Sequence, residues 1–228
     1  EDDQCLKEGG VAAATKLIVA SQVTAIVGSL CDSAVSGANA VAQAAGVPML
    51  VVGATAKDLT QAGDFIFRPY PTDLAAGRAA ADQLFNILKK KKAALVTIKG
   101  ETSETLGEIF SARFKELGGT VTMTQTLDVE GKEAKAVVGK IKSARVEAIY
   151  APIGVSLGQM LFQKISEAKL NALLFSNSQW ESAGAAITKE AEGLFYITPK
   201  LNNWEEFRQK VEETTGKQAT IASFFVYD

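Results

Sequence analysis

The residues arranged most like covalent machinery are Gly154-Val155-Ser156-Leu157-Gly158, a G-x-S-x-G run between an apolar segment and a helical one. That is the setting of a hydrolase nucleophile elbow. In that motif a histidine takes the serine's proton, and the chain contains no histidine, so the triad cannot be completed. Ser156 therefore reads as the N-cap of the helix that follows. The missing histidines also remove Cys-His catalysis, H-E-x-x-H zinc sites and the commonest general base. Glu101, Glu104 and Glu108 could pair as general acid and base, but their spacing is that of a helix start, where negative charge is favourable. Neither a Walker A nor a G-x-G-x-x-G motif occurs, and two cysteines are too few for a structural zinc site. No enzyme, cofactor or metal is expected.

Binding chemistry remains. Cys31-Asp32-Ser33 follows the apolar run Val23–Val27 and Gly28, and Ala54-Thr55 follows the run Pro48–Val52 and Gly53. Small residues at helical spacing join the two runs, which makes a βαβ unit. In parallel sheets ligands sit beyond the carboxyl ends of the strands, and free N–H groups at a helix N-terminus attract an anion such as a carboxylate. A ligand is expected there. Thr55 has a compatible second role as N-cap of the turn Ala56–Thr60. Cys5 and Cys31 read as two buried free thiols or as a bridge.

Elements that position these residues alternate along the chain. Helices are expected at Gly10–Ala20, Asp73–Leu88, Glu104–Leu117, Ala134–Ser143, Ser156–Ala168, around Ser182–Thr188, at Trp204–Thr215 and at Ile221–Asp228. Beyond the first two strands, further ones are expected at Ala93–Ile98, Val121–Thr126, Ala148–Ala151, Leu173–Ser176 and Gly193–Thr198, with Asp64–Tyr70 extended. Leu74, Ala81, Leu84, Phe85 and Leu88 form one apolar helix face, and Lys89–Lys92 closes that helix with positive charge. Two proline-marked crossings, Phe67–Pro71 and Thr198–Leu201, divide the chain. The pattern is α/β, with two doubly wound parallel-sheet lobes: 1–70 plus 199–228 as a discontinuous first lobe, and 71–198 as the second.

With 228 residues, 47% apolar and 22% charged, the chain can bury a sizeable core. A net charge of −2 argues against nucleic acid as partner, and no apolar run is long enough to span a membrane.

Several stretches carry a resemblance: DDQC with VAAATKLI, VTAIVGSLCDSA, AGVPMLVVGATAKDLT, FIFRPYPTD, GQMLFQKISEAKL, AEGLFYITP and FFVYD. In this order they resemble the substrate-binding proteins of branched-chain amino acid ABC transporters, the type I periplasmic binding protein fold. The resemblance implies two lobes joined by a hinge that close around a small polar ligand, an amino acid or related carboxylate or amide. It implies ABC permease subunits as partners and a periplasmic or extracellular location, compatible with lipoprotein anchoring. The same module serves as the ligand-sensing domain of receptors and transcriptional regulators, which is the alternative role. Compared with the family, the chain reads as an interior fragment with an incomplete first lobe, expected to be aggregation-prone.

The resemblance also implies a Cys5–Cys31 disulfide and a set of site residues. The ligand's carboxylate and ammonium would meet Asp32, Ser33, Gly53, Ala54 and Thr55. Asp32 departs from the serine usual there; it reads as a helix N-cap with Ser33 binding, or as a partner for a ligand cation. In the second lobe, Thr102 with Ser103 replaces an aromatic-glycine pair, and Pro152-Ile153-Gly154 stands where an aromatic is frequent. Ser178 falls near the ammonium-binding position, with Trp180 or Glu181 substituting if the loop shifts. Ile153 and Trp180 are thus also candidate contacts, while Arg68, Pro69, Asp73 and Pro199 belong to the hinge, with Arg68 and Asp73 in structural roles.

Overall fold

A computed structural model describes residues 1–181 and 189–227. The helix expected around Ser182–Thr188 lies outside them. The chain divides into two compact units, Glu1–Thr72 with Lys200–Asp228, and Asp73–Pro199.

The second unit is a five-stranded, wholly parallel sheet of order β5-β4-β6-β7-β8. Its strands are β4 (Lys92–Ile98), β5 (Thr120–Leu127), β6 (Ala148–Tyr150), β7 (Leu173–Ser176) and β8 (Phe195–Tyr196). Apolar runs that looked continuous in the sequence are buried on both faces, with a period of two. Ala94, Val96, Ile149 and Leu174 face a core shared with α5 (Ala134–Ala144) and α6 (Val155–Glu167). Ala93, Leu95, Ala148, Tyr150 and Phe175 face the other core, built with α3 (Asp73–Asp82) and α4 (Glu101–Glu116). Helices on both faces suit these strands, which are apolar on both sides.

In the first unit, β1 (Ile26–Val27), β2 (Met49–Leu50) and β3 (Ile66–Phe67) form a parallel sheet in sequential order. These strands are shorter than the expected runs. Helices α1 (Lys7–Thr15) and α2 (Asp32–Ala45) cover one face, burying Ile26, Met49, Val35, Ala38 and Ala42. On the other, Val27, Leu50 and Phe67 stand in one cross-strand row, with Val27 65% and Phe67 54% exposed. The two helices meet through glycines: a Cβ on Gly10 would fall 2.0 Å from the Ala34 carbonyl oxygen, and one on Gly37 would fall 2.1 Å from that of Lys7. No other residue type permits this approach without displacing backbone. Helices α7 (Trp204–Thr215) and α8 (Ile221–Tyr227) pack through Trp204, Phe207 and Phe224, with ring centroids 5.1–6.1 Å apart.

Several local expectations are corrected. The helix from Asp73 widens into a π-helical stretch at Gln83–Ile87, and Leu74, assigned to its apolar face, is 45% exposed. The lysine run does not close that helix. Lys89 takes a left-handed turn (φ 55°), and the amides of Lys91 and Lys92 donate to Glu147 Oε2 at 2.6 and 3.1 Å as the chain enters β4. These amides, Lys91's foremost, hold the Glu147 carboxyl below the usual carboxylate range. A carboxyl whose folded pKa is depressed stabilises the fold above its unfolded pKa and loses that contribution as pH falls through the folded value. Replacing Glu147 by Gln is therefore expected to flatten part of the stability loss below pH 4.5, seen in urea titrations at successive pH values. Because Glu147 is exposed, solvent screening keeps this effect small.

Candidate functional site

Two sets of loops lie at carboxyl ends of parallel strands, one in each unit. In the first unit, residues 28–31 lead from β1 into α2, and 51–56 lead from β2 into a 3-10 turn at Lys57–Gln61. The expected disulfide is present, joining Cys5 to Cys31 with Cα atoms 5.3 Å apart. It fastens the segment before α1 beside the start of α2. The Ser33 hydroxyl reinforces this by donating to the Cys5 carbonyl at 2.7 Å. Asp3 joins the same corner: its carboxylate accepts from the Ser29 hydroxyl and from the Cys5 amide, which hold its pKa below the ordinary value.

Asp32 is not the N-cap. Cys31 occupies the cap position, without a side-chain capping bond, and Asp32 is the first residue of α2. Its Oδ1 accepts the amides of Thr55 and Ala56 at 2.7 and 3.0 Å. The carboxylate thus fastens the loop after β2 to the helix after β1. Arg68 grips the same loop, donating from Nη1 to the Ala56 carbonyl at 2.8 Å. Further along α2, Gln43 accepts the Phe65 amide at 3.0 Å, so the segment from β2 to β3 is held at both ends by one helix face. Thr55 does not cap the 3-10 turn; Ala56 does, again without a side-chain bond. The Thr55 hydroxyl, half-buried, makes no hydrogen bond among the described residues. Gly53 lies against Leu30, whose Cδ2 would be 2.7 Å from a Cβ there, and Ala54 is buried.

In the second unit the strand order reverses direction at β4. The chain runs from β4 outward to β5, then crosses back to β6 on the other side. Such a switch point opens a crevice at the carboxyl ends of its two strands. The loops there are 99–100, entering α4, and 151–154, entering α6. Gly100 caps α4 at φ 144°, a value that favours glycine. Ser103 Oγ accepts the Ile98 amide at 3.1 Å and Glu104 accepts that of Gly100 at 3.3 Å. Thr102 stands half-buried in this first turn.

The side chains of Ile153 and Trp180, expected as ligand contacts, belong to the core instead, 1% and 0% exposed. The Trp180 indole donates to the Ile153 carbonyl at 3.1 Å and lies 5.2 Å from the Phe162 ring. A Cβ on Gly158 would meet the indole at 2.2 Å. The second glycine of the hydrolase-like run is therefore a packing requirement. Its serine has no capping role either: Gly154 is the cap of α6, and Ser156 is exposed. Ser178 lies half-buried in a 3-10 turn at 178–181, and Glu181 accepts the Thr198 hydroxyl at 2.5 Å. Among the residues expected at the hinge, Asp73 is buried in the first turn of α3, and burial followed by the Asp73 charge raises the buried Tyr150 phenol above its ordinary range. Pro69 is exposed, and Pro199 is half-buried at the end of the second unit.

The arrangement of Asp32, Arg68 and the Thr55–Ala56 amides was not legible from residue types alone. A departure from the usual serine at position 32 was the one signal that could have led to it. Among the described residues no group of acidic, cysteine or histidine side chains could hold a metal ion, and no helix is long and apolar enough to cross a membrane.

Parallel sheets flanked by helices, divided by two crossings and carrying loop sets at strand carboxyl ends, define the type I periplasmic binding protein class. The chain belongs to the periplasmic binding protein family, whose model matches residues 1–228. It is 26% identical over 219 residues to the leucine-specific-binding protein of Salmonella typhimurium, covering 93% of this chain and 58% of that one. An amino acid binding protein of Pseudomonas aeruginosa is 30% identical over 150 residues, 65% of this chain and 40% of the relative. The chain thus spans about half the length of the curated relatives it matches. Among solved structures, an ABC-transporter solute-binding protein of Rhodopseudomonas palustris BisB5, in complex with 3,4-dihydroxybenzoic acid, superposes with TM-score 0.82 at 20% identity. That match covers all of this chain and 65% of that one. The branched-chain amino acid protein LivJ of Streptococcus pneumoniae, in complex with isoleucine, has TM-score 0.82 at 19% identity, covering 100% and 68%. At these identities the two structures establish the fold.

Proposed function

We propose that the protein is an extracytoplasmic solute-binding protein of an ABC importer, which takes a small polar ligand and delivers it to permease subunits. The family match across residues 1–228 carries this reading. The relatives named as amino acid and leucine-specific binding proteins support a ligand among amino acids, and we extend the reading to related carboxylates or amides. Contacts are drawn from the loops at strand carboxyl ends: the backbone of Gly53 and Ala54, the Thr55 hydroxyl, Thr102 and Ser178. Location is periplasmic or extracellular, and no covalent step is involved. Delivery by closure requires that ligand bind one arrangement of the two units more tightly than another.

A thermal-shift panel of amino acids, their amides and aromatic carboxylates, run on the complete protein, tests the reading. Ligand at about 100 times its Kd adds roughly 2.7 kcal/mol, a rise of several degrees for a chain of this size. Compaction on addition of the same ligand, measured by small-angle scattering, tests closure. No shift with any member of the panel rejects the proposal.

A further inference from the structure

We infer that the loop corner of the first unit selects a ligand group that donates hydrogen bonds, an ammonium or a primary amide, and rejects a carboxylate, because Asp32 already occupies the anion position. This rests on the solute-binding reading above and names the ligand chemistry at one end of that site.

Amides converging beside the start of a helix are what a ligand carboxylate would seek. Here the amides of Thr55 and Ala56 both end on one oxygen of Asp32, at 2.7 and 3.0 Å. The Ser33 hydroxyl, in the first turn of the same helix, gives its proton to the Cys5 carbonyl. Arg68 Nη1 is committed to the Ala56 carbonyl. The two loop amides and the Ser33 hydroxyl, donors that could hold an incoming anion, are therefore engaged with protein acceptors, which leaves the Thr55 hydroxyl as the side-chain donor there without an internal partner among the described residues. A second carboxylate brought here would meet the charge of Asp32, and Asp3 adds another acidic group against Ser29. An incoming N–H group meets the opposite situation. Oδ2 of Asp32 has acceptor capacity left beyond the two amides on Oδ1, and the Thr55 hydroxyl, with no internal partner among the described residues, can accept as well.

The experiment compares ligand pairs that differ in one group on the complete protein: benzoate with benzamide, and L-leucine with its des-amino acid and with its decarboxylated amine. Titration calorimetry is run on wild type, Asp32→Ser and Asp32→Asn. The Asn variant keeps an acceptor oxygen for the two amides while removing the charge, so it reports on selectivity even if the Ser variant fails to fold. Wild type is expected to favour the amide or amine over the matched acid by at least tenfold, and the Asn variant to shift that ratio toward the acid by at least tenfold. Equal affinity for matched acids and amides in wild type, with a ratio unchanged by Asp32→Asn, overturns the inference while leaving the solute-binding reading standing. Binding of none of these molecules by any version overturns both.

Discussion

Truncating Trp180 to Ala is expected to lower the stability of the second unit by about 3–5 kcal/mol, the range for removing a large aromatic from a close-packed core. Three observations set the size. The indole is wholly buried, its ring lies 5.2 Å from Phe162, and its N–H satisfies the Ile153 carbonyl. Truncation opens a cavity against α6 and leaves a carbonyl without its donor. Trp180→Phe keeps one aromatic ring but loses the N–H and part of the indole, so its expected cost is about 1–3 kcal/mol, from a buried acceptor left unsatisfied together with a smaller void. Gly158→Ala approaches the same packing from the other side. A methyl 2.2 Å from the indole forces the ring or the helix to move, at about 1–3 kcal/mol. Urea unfolding followed by circular dichroism ranks the three variants. If Trp180→Ala unfolded within 1 kcal/mol of wild type, the indole would have to be a surface group available to ligand, contrary to its burial.

Removing the Cys5–Cys31 bridge, by reduction or by replacing both residues with Ala, is expected to cost roughly 3–4 kcal/mol in the chain-entropy account. The two residues are 26 apart in sequence, so the bridge closes a substantial loop in the unfolded chain. For a chain of this size each kcal/mol moves Tm by roughly 2–4 °C, so calorimetry with and without reductant should differ by about 10 °C. Identical melting in both states would show that the bridge adds nothing. The native contacts of the corner survive the substitution: Ser33 still donates to the Cys5 backbone carbonyl, and Gly10 still lets α1 lie on the Ala34 backbone. The loss is therefore expected to fall on the first unit without changing its topology.

Most of the element order was legible because it rests on local pattern. Apolar runs ending in glycine became strands, and the expected boundaries of β7 and α7 coincide with the observed ones. Boundaries failed where long-range bonds decided them. The lysines before β4 looked like a helix end, yet they are drawn into the sheet by Glu147, which lies more than fifty residues away. Leu74 fits a helical stripe by spacing and still faces solvent, since the direction of the stripe depends on what α3 packs against.

For the site, residue types and spacing by themselves pointed to the loops from which the proposed contacts are drawn, because in a parallel sheet ligands sit beyond the carboxyl ends of the strands. They also determined that no histidine-dependent chemistry is available, since that follows from a count. Only the tertiary structure decided the role of each side chain. Asp32 binds amides 23 and 24 positions away, Trp180 turns inward to a carbonyl 27 positions away, and Ser33 reaches back 28 to Cys5. Whether a polar group faces ligand or backbone depends on which unsatisfied partner the fold brings within about 3 Å, and local sequence carries no record of that distance.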